Sequence, residues 1–415
     1  MKYLSSMRAA VLGLTALTVW LGGCTVGPSL LRVVRMGYNE AIQVTTEQQL
    51  LLNLVRLKYR DTPLFLAVGS VSAQFQLDES VGLSGELNEN VGVSPLNPDS
   101  LRLDGRVGFS ERPTITFIPL QGDKFVMRLL TPLSLETVVL LVRSGWSIDR
   151  VLRLCAQQIN NLDNASRASG PTPDLAPRFR GFAEASRVLR SLQLAGALQI
   201  GFARVHNKLS PPLEPGSVGA ADLLTAAREG FAFQATDAGT YLLTAPSKKL
   251  VLQVRRDALQ TDDGRSFVRL LGLKSGVSIF DLTVGEMRET PDAGRPEEHE
   301  RIIVAPRSLM GIFFYLSHAI EVPRSHRESG LVTTTQKLTG EPFDWSDVTG
   351  DLLCVKSQKN PPNRASVAVK YRGYWFYIDD ADLNSKSTFG LLAQLFALQA
   401  GGAEGVGPVL TLPIG

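Results

Sequence analysis

Four histidines, at positions 206, 299, 318 and 326, and three cysteines, at 24, 155 and 354, are the side chains best suited to proton transfer, metal ligation or nucleophilic attack in this chain of 415 residues. Their spacing points away from catalysis. No Gly-x-Ser-x-Gly elbow, Ser-x-x-Lys pair or His-Glu-x-x-His helix occurs, and those are the arrangements that bring a nucleophile to its base or two imidazoles to one metal. His318 and His326 stand eight apart across Pro323, with Glu321 and Glu328 nearby. That is not one of the tight ligand spacings by which sequence identifies a metal site, and His318 reads as a core or interface residue of an apolar helix. Asp379, Asp380 and Asp382 lack the spaced glycine and terminal glutamate of a calcium loop. They read as a solvated turn and the acidic start of a helix. No cofactor and no metal site is expected.

Lys370-Tyr371-Arg372-Gly373-Tyr374-Trp375-Phe376-Tyr377 is the densest aromatic and basic patch. If Arg372-Gly373 is a two-residue turn, Val367, Val369 and Tyr371 face Tyr374, Phe376 and Ile378, and all six share one face. Lys370 and Trp375 then pair on the opposite side, where cation and ring could stack. With Arg372 and Tyr377 they form a candidate partner surface, unless that side is a second packed face under a helix. Cys155 falls in an apolar helical pattern and Cys354 in an apolar strand-like run. In an oxidising compartment the two could form a disulfide, or both could be buried, inert thiols.

The third cysteine belongs to a different pattern. Lys2 and Arg8 precede an apolar run from Ala9 to Leu21, which leads into Leu21-Gly22-Gly23-Cys24. A basic start, a short apolar segment and small residues before a cleavage point make a secretory signal. The segment is shorter than the roughly 20 residues a spanning helix needs. Leu21-Gly22-Gly23-Cys24 resembles a bacterial lipobox, and the chain is similar to bacterial outer-membrane lipoproteins. The resemblance implies cleavage after Gly23 and acyl chains such as palmitate on Cys24, anchoring the protein in the bilayer. Thr25-Val26-Gly27, with no aspartate beside the cysteine, implies the outer membrane, on its periplasmic side. Gly23-Cys24-Thr25-Val26-Gly27-Pro28 also resembles the start of outer-membrane efflux lipoproteins, but their long helical hairpins have no counterpart in the strand-like pattern that begins by residue 64. The phrases 51–57, 371–377 and 410–413 look like those of a bacterial lipoprotein family of unknown activity.

With the signal removed, 41 basic and 40 acidic side chains remain in 392 residues. That near-neutral balance leaves no basic field for nucleic acid, and the length allows two or three domains. Residues 1–23 read as the signal and 24–43 as anchor and tether. In 44–162, a helix capped at Thr45 or Thr46 carries a Leu50, Leu51, Leu54, Leu57 stripe. Apolar residues then fall on odd positions from Val71 to Phe117, the period of antiparallel strands, with turns expected at 88–100. Helices continue to 161. A Ser/Pro/Gly linker (163–177) leads to an α+β middle region (178–290). The C-terminal α+β region (300–415) holds the hairpin 365–378, a helix 386–400 begun by Asn384 or Ser385, and a last strand at Val409–Leu412.

The expected fold is α+β, antiparallel sheets with packed helices. The expected role is non-enzymatic: binding or envelope assembly through an envelope protein partner, with the chain a candidate homo-oligomer. An oligomeric pore or secretion component using strands 64–118 is the second reading. A periplasmic hydrolase whose site no motif reveals is the third.

Overall fold

Residues 35–85, 101–285 and 300–400 are described by the structure, a computed structural model, and their fold is α+β. They fall into two units, one of residues 35–63 with 122–400 and one of residues 64–121. Cys24, the region 88–100 and the strand expected at 409–412 lie outside the described residues.

The first unit opens with α1 (35–58), which is helical well before the threonines expected to cap it. Thr45 and Thr46 instead return their hydroxyls to the carbonyls of Ala41 and Ile42, each at 2.7 Å. This bond back to the preceding turn lets a threonine sit mid-helix. The leucine stripe is confirmed. Leu50, Leu51 and Leu54 are fully buried, with Val55 and Leu57 beside them. Arg60, at φ 61°, turns the chain out of the helix.

The second unit is a ribbon of β1 (Leu66–Gly85) and β2 (Leu101–Pro119), paired antiparallel over nearly their whole length. The alternating series thus gives two long strands rather than several short ones.

Back in the first unit come α2 (Asp123–Leu130), α3 (Leu135–Arg143) and α4 (Ile148–Cys155), then β3 (Ala156–Ile159) and β4 (Leu162–Asp163). Next are α5 (Arg180–Leu194), β5 (Leu198–Lys208), α6 (Ala220–Arg228), β6 (Ala232–Ala235), β7 (Tyr241–Val254) and α7 (Asp262–Leu271). They continue into β8 (Ile279–Val284), β9 (Arg301–Pro306) and α8 (Leu309–Ser317). Seven strands form one mixed sheet in the order β4-β3-β9-β8-β7-β5, with β6 also on β7. Only the β8/β9 pairing within it is parallel. Its core joins Leu252, Val254, Phe280, Ile302 and Val304 of the strands to Phe182, Leu189 and Phe267 of α5 and α7. Gly264 of α7 is required by a close approach, since a Cβ there would lie 2.1 Å from the Ala258 carbonyl oxygen.

This sheet runs across the expected domain borders. β3 from the first region pairs with β9 from the last, so the three regions share one sheet. The stretch 163–177 is packed in place rather than a linker. Asn164, Ala165, Ala168 and Thr172 are buried, and the Asn164 amide donates to the carbonyls of Arg153 (2.8 Å) and Ala156 (2.7 Å).

The chain ends its described course with α9 (Arg324–Glu328), α10 (Ser346–Thr349), β10 (Lys356–Gln358), β11 (Ala365–Tyr371), β12 (Tyr374–Asp379) and α11 (Leu383–Ala400). The expected hairpin forms with the expected partners, Val367 on Ile378, Val369 on Phe376 and Tyr371 on Tyr374. Arg372 (φ 45°) and Gly373 (φ 84°) both adopt the left-handed conformation that a two-residue hairpin turn demands. β10 adds a third strand on β12. α11 starts earlier than expected, at Leu383, because Asp382 accepts from the Ser385 amide at 3.0 Å and acts as the cap.

Candidate functional site

The aromatic and basic patch of the terminal hairpin is largely turned inward on the protein's own helices. Arg372 reaches Asp61 at 2.9 Å and lies over the Tyr59 ring, 5.2 Å from its centre. The Tyr371 hydroxyl donates to the same carboxylate. That bond, followed by Arg372, holds the Asp61 carboxyl below the usual carboxylate range. Tyr59 in turn is hydrogen-bonded to His326 Nδ1 at 2.7 Å and packs edge-on against Phe376, and burial pushes its hydroxyl up to about 12. These contacts clamp the end of α1 to β11, β12 and α9. Tyr377 donates to Gln358 Oε1 at 3.1 Å, which ties β12 to β10. Of the four residues expected as a partner surface, Arg372 and Tyr377 therefore have structural work. Lys370 is exposed opposite a half-buried Trp375, as the register required.

The residues with nucleophilic or ligand chemistry are kept apart. Cys155 and Cys354 are not bridged: both are free thiols. Cys155 is sealed at the end of α4, where burial pushes its thiol up to about 12, and burial also raises the half-buried Cys354. Both shifts disfavour the thiolate that attack needs. His206 is exposed on β5 and His299 lies outside the described residues. His318 is buried and stacked on Trp345, ring centres 4.0 Å apart. Its burial, with the Lys58 ammonium near, drives its pKa well below the ordinary histidine value. Asp379 pairs with Lys356 (3.0 Å) and Asp380 with Lys386 (2.6 Å), which accounts for that acidic cluster. Among the described residues no three His, Cys, Asp or Glu side chains gather as metal ligands.

One densely hydrogen-bonded buried side chain has no sequence signal. Arg307, directly after β9, is fully buried. Its guanidinium donates to the carbonyls of Arg153 (2.8 Å), Ala156 (2.8 Å) and Asn164 and to Ser169 Oγ (2.9 Å), and it lies 4.0 Å from the Tyr315 ring centre. No carboxylate appears among these partners. It joins α4, β3, the 163–169 loop and α8, and its role is to hold the fold.

The ribbon of β1 and β2 is a sheet of its own. Its register joins positions whose numbers sum to 186 from Ser70↔Thr116 to Gly85↔Leu101, with one irregularity between Val68 and Ser70. Odd positions therefore face odd positions across the strands. The odd-numbered pairs include Val71↔Ile115, Leu77↔Phe109 and Leu83↔Leu103, and the even-numbered pairs include Ser72↔Thr114, Gln74↔Arg112 and Ser84↔Arg102. Near the base, where burial is described, Ile115 is 39 % and Phe117 52 % exposed. Within the described sheets β1 and β2 pair with each other. No family model, curated protein or solved structure matches the chain.

Proposed function

We propose that this is a non-enzymatic lipoprotein, anchored by acylated Cys24 to the outer membrane on its periplasmic side, which works by assembly with further copies of itself. The observation that carries this reading is the ribbon of β1 and β2, two long paired strands whose sequence alternates apolar and polar residues along the register. A two-stranded ribbon alone in water is marginally stable and needs further strands or a packed face, and an open edge is a template for another strand. In this reading β1 of one copy pairs with β2 of the next. Such a head-to-tail contact repeats until it closes, and closure into a barrel removes every edge. With two strands from each copy, the smallest barrels, of about eight strands, call for about four copies.

The test is the mass of the acylated protein in mild detergent, measured by light scattering beside a variant whose residues 70–115 are replaced by a short turn. The expected result is a ring of several copies for the full chain and a monomer with unchanged melting of the first unit for the variant. A monomeric full chain, or a ring that persists without the ribbon, overturns the reading.

A further inference from the structure

We propose that a cleft of the first unit, beside α7, binds a phosphomonoester, an organic body that carries a terminal phosphoryl group. The cleft uses no residue of the ribbon, so this site stands or falls apart from the assembly reading.

The cleft has a volume of about 590 Å³, inside the range of about 300–1,000 Å³ in which proteins hold small molecules. Among the described residues its charged lining is Arg256, Arg265 and Arg269, with no carboxylate. Arg265 and Arg269 stand one turn apart on α7, a pair of like charges that disfavours the helix by itself. Arg256 comes from the segment that leads out of β7. The carboxylates closest along the chain are already engaged. Asp257 pairs with Arg255 at 2.7 Å, Asp263 accepts from the Ser191 hydroxyl, and Asp262 reaches Arg265 at 2.7 Å. One carboxylate therefore serves three guanidiniums. Arg269 has a 3.5 Å contact to Ser266 Oγ, and the Arg256 side chain makes no hydrogen bond or ion pair among the described residues.

The backbone sets these arginines at a fixed spacing. Thr261 caps α7 by accepting from the Gly264 amide at 3.1 Å, and Gly264 lets the turn Ala258–Gln260 lie directly on the helix. Arg265 donates to the Gln260 carbonyl across the same seam. Gly272, at φ 61°, ends α7 and turns the chain into the far wall of the cleft, where Gly276 has φ 82°. A site built before its ligand arrives avoids the entropy of ordering it on binding.

Three guanidiniums suit a phosphoryl group better than a carboxylate. One bidentate fork fills a carboxylate, whereas a terminal phosphoryl presents three acceptor oxygens and carries nearly two charges at neutral pH. Between the arginines the wall is made by Leu259, Val268 and Leu273, with Gln260 and Ser275 as neutral polar groups. That mixture fits an organic body behind the phosphoryl group, which bare phosphate lacks.

The experiment takes the chain from residue 24 onward with Cys24→Ala, so that no acyl chain of its own holds it to vesicles, and titrates it with phenyl phosphate by calorimetry at low salt. The expected result is saturable binding of one phenyl phosphate per chain, tighter at about pH 7.5 than at about pH 5 as the probe gains its second charge, with inorganic phosphate competing more weakly. Arg256→Gln and Arg269→Gln should each weaken binding by at least about tenfold with unaltered melting, since both side chains are exposed. Arg256→Lys should restore it only in part, because the ammonium lacks the planar fork. Arg204→Gln, which removes the same charge from exposed β5, should leave binding unchanged. Sedimentation with phosphatidylcholine vesicles that contain phosphatidic acid, whose headgroup ends in a phosphomonoester, separates the two sources of the ligand: binding that Arg256→Gln abolishes assigns a lipid headgroup, and phenyl phosphate binding without it assigns a soluble ligand. No saturable binding of either probe, equal losses in Arg204→Gln and Arg256→Gln, or benzoate bound as tightly as phenyl phosphate overturns the proposal.

Discussion

Burial sets the charge state of several side chains in the first unit, and so makes stability depend on pH. His318 and His326 are both held below the ordinary histidine value, chiefly by desolvation. The unfolded chain takes up those protons first as acid is added, so their contribution is complete above about pH 6.5 and declines as pH falls below it. The unfolding free energy should drop between pH 7 and pH 5, by up to ~1.4 kcal/mol per pH unit for His318 and by less for the more solvated His326. His318→Phe keeps a ring against Trp345 and should flatten the slope, measured by urea denaturation across that range. A slope unaltered by that change would mean that His318 is protonated in the folded protein. Asp61 and Asp351, each held below the usual carboxylate range first by a side-chain hydrogen bond, from Tyr371 and Arg153 respectively, add a further loss only under more acidic conditions. Arg307 is not legible in the sequence, because nothing in its neighbours along the chain indicates that several distant segments will converge on it.

The elements best anticipated are those whose pattern is local. The terminal hairpin has alternation, a Gly in its turn and a face that must be buried, and each agrees with the others. Its core position is Phe376, with no exposure, while Trp375 on the other side is half-buried. Phe376→Ala should cost about 3–5 kcal/mol and lower the melting temperature of the first unit, and Trp375→Ala should cost visibly less. Equal losses would place both faces of β12 in the core. The start of α1 departs from its expected place for a related reason. A threonine with glutamine three residues on satisfies a cap equally well on paper, but helix-favouring residues before it let the helix continue, and the hydroxyls found carbonyls instead. Asp382 capping α11 is the same competition won by the residue that reaches the free amide first.

At the scale of the whole molecule, the proposed anchor and the ribbon make separable demands. Cys24→Ala should yield protein without acyl label, released from membranes or blocked in maturation, as read by palmitate incorporation and fractionation. Unchanged acylation of that variant would overturn the anchor. By itself the sequence determined the α+β class, the leucine stripe of α1, the two-period run of the ribbon and the register of the last hairpin, because each depends on residues close together along the chain. The tertiary structure decided that three apparent regions share one sheet, that 163–177 is packed, that Cys155 and Cys354 stay apart, and that Arg372 clamps α1 rather than reaching outward. Those outcomes depend on pairings between segments over a hundred residues apart, such as β3 with β9 and Asp61 with Arg372. Local pattern sets which face of an element is apolar, but only the closing of the chain on itself chooses what covers it.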